Sequence, residues 1–293
     1  MSGELIDGKA IAEQIHAETR QSVAKLKEKG INPSIVFVRV GEDPASQAYV
    51  GMKDKKASEL GIISRTIVLP EATTQDELFS HIKKLNEDRN VHGILVQAPL
   101  PSHISETVIF SNVSPEKDVD GFHPINVGKL LLGDTTGFRP CTPAGVHELL
   151  IRSKISVEGA HVAILGRGNI VGKPMAAILC QKQLHANATV TLLHSRSKDI
   201  QVHVQRADIV IAAMGQAEFV KASMVKKGAV VIDVGVNRVP APGTAKGYRL
   251  VGDVAFEEVR AVASKITPNP GGVGPMTIAM LMANTVRAAG ACT

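Results

Sequence analysis

Tyr49, Lys53 and Lys56 lie in the stretch SQAYVGMKDKKASEL, where one side of a helix would carry them together with Ala45, Met52 and Leu60. Lysines on the apolar side of a helix are unusual, because an ammonium group loses its hydration on burial. Desolvation and a like charge three residues away would both lower the pKa of Lys53, giving an acid or base usable near neutrality. Tyr49 precedes Lys53 by one turn and could share a hydrogen bond with it. The alternative is a pair of snorkelling lysines whose stems cover the apolar face while the charges stay in water. Gln97 follows the apolar run GILV and would sit at the carboxyl end of a strand, where open α/β sheets collect ligands. It can donate and accept without changing charge, or simply cap the strand. Asp118 and Asp120 could balance a cationic ligand, or stand in a solvated loop. Asp233, closing its own strand, reads as a structural carboxylate.

A second group of residues points to a nucleotide. The stretch AHVAILGRGNIVGKPMAAIL reads as strand, glycine turn and helix, a layout that offers backbone N–H groups and a helix N-terminus to a phosphate. Its glycines are Gly166, Gly168 and Gly172, one residue more widely spaced than the usual dinucleotide fingerprint, so an ordinary βα turn remains the alternative. The following run, ATVTLLH, supplies the next strand. An NAD site would place a carboxylate near its end, but here stand His194, Ser195, Arg196, Ser197 and Lys198, with Asp199 the first acid. A cation and hydroxyls suit a 2′-phosphate, which a carboxylate would repel, and Arg167 could add a second cation. The reading is NADP rather than NAD.

The elements that position these groups alternate. SIVFVRV, IISRTIVL and GILVQ read as strands, each preceded or followed by a helical pattern. Asp43-Pro44 opens the lysine helix and Gly61 stops it. Thr74 and Glu77 form a capping box for the next helix. Residues 115–130 are rich in turn formers and read as the crossing between two lobes. Thr142 as N-cap and Pro143 as first residue would start a helix to about Arg152. DIVIAAMG and GAVVIDVG are two further strands. Pro268, Pro270, Gly271, Gly272, Gly274 and Pro275 make a non-helical segment before the last helix, either a ligand wall or a linker.

Bulk properties exclude several classes. The 293 residues allow two domains with well-formed cores. Lys plus Arg exceed Asp plus Glu by 33 to 28 without any dense basic tract, so nucleic acid is not an expected partner. No apolar run approaches the ~20 residues of a membrane span. Cys141, Cys180 and Cys292 are odd in number and far apart, which favours a reducing compartment, and the N-terminus lacks a secretory pattern. The expected location is the cytoplasm. No histidine spacing matches a metal site, so no metal is expected.

The chain resembles the bifunctional methylenetetrahydrofolate dehydrogenase/methenyltetrahydrofolate cyclohydrolase family along its whole length. The matching stretches include VGEDPASQAYVGMKDKKASELGI, GILVQAPLP, PEKDVDGFHPINVGKL, RPCTPAGV, LGRGNIVGKPMA, VTLLHSRS, VVIDVGVNR, GDVAF and TPNPGGVGPMTIAML. The resemblance implies an α/β protein of two domains. Residues 1–143 with 268–293 would form a folate-binding catalytic domain with a parallel sheet. Residues 144–267 would form an NADP-binding Rossmann domain, with the active-site cleft between the two. It implies Lys53 as the central acid/base residue, Tyr49 stacking on the folate, Gln97 tuning Lys53, and Asp120 holding the pterin. Pro270 and Gly272 would line the folate pocket. The cofactor would be held by the glycine turn (Gly166, Arg167, Gly168, Gly172) with His194, Ser195, Arg196 and Thr277. Tetrahydrofolate derivatives are then the expected partners, and a homodimer the expected assembly. The family turn usually reads Gly-Arg-Ser, whereas Gly168 stands here, which bears on NADP affinity. A monofunctional dehydrogenase, a non-catalytic NADP-binding sensor of the same fold, or another NADP-dependent dehydrogenase acting on a carbonyl through Tyr and Lys are the competing readings.

Overall fold

The structure, a computed structural model, describes residues 2–243 and 247–291. Cys292, one of the three cysteines considered above, lies outside the described residues. The chain forms two compact units. One contains the first twelve residues with Thr142–Thr277, and the other contains Glu13–Cys141 with the chain from Ile278 on.

The chain begins with β1 (Glu4–Leu5) and α1 (Gly8–Glu28), followed by β2 (Ser34–Val40), α2 (Pro44–Glu59), β3 (Ile63–Leu69), α3 (Gln75–Glu87) and β4 (Gly93–Val96). Short helices α4 (Glu106–Phe110) and α5 (Pro124–Leu132) come next. Strands β3, β2 and β4 form a parallel three-stranded sheet with β2 in the centre. All seven residues of β2 are buried, as a central parallel strand covered on both faces requires. The alternation of the strand sorts its side chains. Ile35 and Phe37 pack with Val50, Ala57 and Leu60 of the α2 region and with Leu281 and Met282, while Val36, Val38 and Val40 pack with Leu78, Ile82 and Leu85 of α3. Each such buried apolar side chain contributes about 1.5–3 kcal/mol.

Local signals set the helix ends. The Asp43 carboxylate accepts from Ser46 N at 2.7 Å, with Pro44 in the first turn of α2. Thr74 and Glu77 make the reciprocal capping box expected from their spacing. Gly30 and Gly61 follow α1 and α2 with φ of +78° and +76°, a region that favours glycine.

The other unit continues with α6 (Cys141–Arg152), β5 (His161–Leu165), α7 (Gly172–Leu179), β6 (Thr189–Leu193), α8 (Ile200–Arg206) and β7 (Ile209–Ala212). After β8 (Val230–Asp233) come β9 (Asn237–Pro240), β10 (Tyr248–Val251), α9 (Phe256–Arg260), β11 (Lys265–Ile266) and the start of α10 (Val273–Ala291), which from Ile278 on belongs to the unit of Glu13–Cys141. Its sheet has six strands in the order β1-β11-β8-β7-β5-β6, with parallel pairings throughout. The order reverses at β5, whose neighbours are β6 on one side and β7 on the other. A doubly wound sheet opens its ligand crevice at such a reversal. β9 and β10 form a separate antiparallel pair.

Several sequence expectations are corrected. Helix α6 starts at Cys141, so Thr142 is its second residue rather than its cap; its hydroxyl instead bonds Thr277 Oγ1 at 2.9 Å. Gly274 and Pro275 belong to α10, because a proline in the first turn gives up an N–H that has no helical acceptor anyway. Residues 115–130 lie within one unit and include the start of α5, so the chain does not cross there. The units also divide the termini differently from the expected 1–143 and 268–293. β1 pairs with β11, which brings the N-terminus to the six-stranded sheet, and residues 268–277 cluster with that unit.

Candidate active site

Lys53 lies in the third turn of α2 with 8% of its surface exposed. Its Nζ donates to Gln97 Oε1 at 2.9 Å. Gln97 is placed by the sheet, since its N–H bonds Val38 O as an extension of β4, and its Nε2 is turned onto Ala98 O. The neutral amide accepts from the lysine without fixing its charge. Burial pushes the Lys53 pKa below its ordinary value, while the Asp120 carboxylate and, less strongly, Cys141 pull it back up. Asp120 is pushed the other way: burial raises its pKa, and Lys53 and a hydrogen bond with Cys141 oppose the rise. Burial first, then Asp120, lifts the Cys141 thiol well above the usual thiol range. Lys53, Gln97, Asp120 and Cys141 therefore form one cluster within a single unit, in which burial works against the charge on the amine and the carboxylate works for it.

Lys56 is held by acids outside the Lys53 cluster. Its ammonium meets Glu59 at 2.8 Å and Glu13 at 3.5 Å, and the Glu59 bond raises its pKa. Of the two lysines on the stripe, Lys56 is the one that reaches solvent acids, and Lys53 is the one desolvated. Tyr49 is 41% exposed, and the Lys53 amine turns to Gln97 rather than to it. Asp118 is structural. Its carboxylate accepts from the backbone N–H groups of Gly121, Phe122 and His123 and from Asn126 Nδ2, forming the turn into α5. Burial nevertheless raises its pKa to about 6.

The glycine turn in the other unit is built to exclude side chains at two of its three glycines. A Cβ at Gly166, where φ is +120°, would stand 2.1 Å from Ala213 O, the carbonyl just beyond β7. A Cβ at Gly172 would stand 1.9 Å from Gly166 O. At Gly168 a Cβ would meet open space. The turn lies where the strand order reverses, and α7 starts at Gly172, the last glycine of the turn. After β6, residues 194–197 close on themselves: Ser197 N donates to His194 O, His194 N to Ser197 Oγ, and Arg196 N to His194 Nδ1. Ser195 and Arg196 are exposed there, as is Arg167. Exposed cations without a carboxylate at the strand end fit a 2′-phosphate. Thr277 bonds Thr142 in this same unit, which also contains Pro270, exposed, and Gly272, buried against Thr267 and the Pro268 carbonyl.

Two family models cover the chain. The catalytic domain of tetrahydrofolate dehydrogenase/cyclohydrolase matches residues 6–120, and its NAD(P)-binding domain matches residues 140–292. The chain belongs to this family. A bifunctional protein FolD of Syntrophobacter fumaroxidans is 54% identical over 98% of this chain and 97% of that protein. The bifunctional FolD structure from Campylobacter jejuni superposes with a TM-score of 0.93 at 48% identity, covering 99% of each chain. The Trypanosoma brucei dehydrogenase-cyclohydrolase, solved with NADP and an inhibitor, superposes with a TM-score of 0.94 at 40% identity, covering 99% of this chain and 98% of that one.

Three residues of these sites were not singled out from the residue pattern. The sequence around Cys141 carries no local mark of its place beside Asp120. Asp253, fully buried, accepts from the N–H groups of Met214 and Gly215 with one oxygen and from Asn237 with the other, holding the loop after β7. Asn284 sits in the middle of α10 and looks like any polar interruption of an apolar helix. Among the described residues no group of His, Cys, Asp and Glu is arranged to hold a metal ion, and no helix is long and apolar enough to cross a membrane.

Proposed function

We propose that the chain oxidises 5,10-methylenetetrahydrofolate to 5,10-methenyltetrahydrofolate with NADP⁺ and hydrolyses the product to 10-formyltetrahydrofolate, with Lys53 as its acid/base. The observation that carries the assignment of Lys53 is its desolvated amine on a neutral amide acceptor beside a carboxylate. Family membership supports both activities. The FolD relatives are named bifunctional, and the trypanosomal relative was solved with NADP.

The oxidation requires positioning above all, because no proton leaves the reacting carbon. NADP⁺ supplies the hydride acceptor. The residues present fit this group: the backbone turn from Gly166 to Gly172 admits no side chain at its ends, leaving N–H groups for a diphosphate, and Arg167, Ser195 and Arg196 offer donors to a 2′-phosphate. His194 shapes that donor loop through its bond from Arg196 N, and Thr277 would add a hydroxyl.

Hydrolysis adds water to a cationic methenyl carbon, and a group must take the proton. Lys53 does so in its neutral form, which burial favours. Gln97 Oε1 fixes the amine and accepts a hydrogen bond in either charge state. Asp120 presents the negative charge that holds the pterin, while the exposed ring of Tyr49 offers a flat apolar face to the folate. Pro270 and Gly272 would shape the folate pocket. The enzyme acts as a cytoplasmic homodimer in this reading, which sedimentation would check.

The test is spectroscopic: methenyltetrahydrofolate is followed as it forms and decays, with NADP⁺ and NAD⁺ compared side by side. Formation with NADP⁺ and enzyme-dependent decay are expected. Folded protein that does neither would refute the reading.

A further inference from the structure

Asn284 is a polar residue, 8% exposed, in a stretch of α10 whose neighbours Leu281, Met282 and Ala288 belong to the apolar core. An asparagine is a poorer helix former than leucine, and burying its amide without partners costs more than the packing it provides. Its amide is partnered instead by distant backbone. Nδ2 donates to Val119 O at 2.8 Å, 165 residues away in sequence, and lies 3.4 Å from Arg139 O. The Cys141 sulfur stands 3.7 Å from the same nitrogen, and its thiol donates to Val119 O at 3.3 Å.

The carbonyl of Val119 and the N–H of Asp120 share one rigid peptide plane, so fixing the carbonyl fixes the place of the Asp120 N–H and Cα from which its side chain starts. The same turn packs against 139–140: a Cβ at Gly121 would come within 2.6 Å of Pro140 N. One amide thus joins the two backbone segments that carry Asp120 and Cys141. Both segments and Asn284 lie in the same compact unit. A carbonyl accepts two hydrogen bonds, and the Val119 carbonyl meets two donors, the Asn284 amide and the Cys141 thiol, whose single proton is shared with Asp120.

We propose that Asn284 is a positioning residue for folate binding: through the Val119 carbonyl it sets the Asp120 carboxylate in the place the pterin requires. The proposal rests on the functional reading above and extends it to a residue that need not touch substrate.

The experiment compares Asn284→Leu, of similar size but without a donor, with the wild-type chain in both assays. The expected result is a folate KM raised about tenfold or more for oxidation and hydrolysis alike, as the Val119 carbonyl, left with only the weak thiol donor of Cys141, lets its peptide move. The KM for NADP⁺ stays unchanged, and the fraction folded is verified by circular dichroism. A role confined to packing would lower the amount of active enzyme, hence apparent kcat, and leave the folate KM alone. A folded variant with folate KM within about twofold of wild type overturns the proposal. Where Asn284→Leu does not fold, Asn284→Ser is read in the same way, and failure of both to fold makes Asn284 a core residue and also overturns it. Wild-type protein without either activity would instead overturn the functional reading.

Discussion

At the scale of single residues, the chemistry depends on which lysine loses its water. Lys53 and Lys56 share a helix stripe, so sequence alone presents them as equals. Glu13 and Glu59 distinguish them, and Glu13 comes from α1, forty-three positions from Lys56. That pairing is invisible to helical spacing, and so is the cover over Lys53. Legible from the start were the residue type, the stripe and the strand-end Gln97. Lys53→Met keeps the length and apolar stem but removes the base. It should lower hydrolysis by about 10²–10⁴-fold with the circular dichroism spectrum retained; hydrolysis near the wild-type rate would assign the base elsewhere. The neighbouring carboxylate gives a second prediction with a definite sign. Asp120 favours the charged amine and raises the Lys53 pKa against burial. Asp120→Asn therefore lowers that pKa, and the neutral base is reached at lower pH. The rising limb of the kcat–pH profile for hydrolysis should shift toward acid, read at saturating folate because the same change weakens substrate binding. A limb that stays in place would show that Asp120 does not act on the amine.

Elements come next, and here local signals carried much of the fold. The Asp43 cap, the Thr74–Glu77 box and the apolar runs of β2 to β8 all encode their structure within a few residues, which is why those elements follow directly from the sequence. β1 and β11 are two residues each and exist only through pairing across the whole chain, so no window of sequence reveals them. The glycine turn falls between these cases. Its unusual spacing weakened it as a motif, yet Gly166 and Gly172 are each required by a carbonyl about 2 Å from where a Cβ would sit. Gly168 has no such neighbour, which makes the departure from the Gly-Arg-Ser pattern a matter of ligand contact rather than backbone fit. Gly168→Ser should leave the unfolding midpoint unchanged and tighten NADP⁺ a few-fold, up to about tenfold, through one hydroxyl bond to a charged phosphate, measured by titration calorimetry. Gly172→Ala should cost binding outright, since the turn must open to admit the methyl group. Equal affinities for wild type and Gly168→Ser would mean that the third position does not contact the nucleotide.

For the whole molecule, the two-domain α/β class was legible in the alternation of strands and helices, whereas the exact division was not. The termini join units by pairings and packing made far from their own sequence neighbours. The division has a thermodynamic consequence. The glycine turn and Arg196 belong to the unit of Thr142–Thr277, while Lys53, Gln97 and Asp120 belong to the unit of Glu13–Cys141. A ligand that binds only the native state stabilises it by RT ln(1 + [L]/Kd), about 2.7 kcal/mol at one hundred times Kd. NADP⁺ at that excess should raise the unfolding midpoint by about 5 °C. Arg196→Ala removes an exposed cation from the 2′-phosphate and should raise the NADP⁺ Kd about tenfold, so the same NADP⁺ concentration stabilises by about 1.4 kcal/mol less. The shift produced by a folate analogue should be untouched by Arg196→Ala, and Asp120→Asn should reverse the pattern, keeping the NADP⁺ shift and losing the folate one. Scanning calorimetry of the wild type and the two variants with each ligand tests this crossed pattern, and a variant that loses both shifts together would break the assignment of Arg196 to the cofactor and Asp120 to the folate.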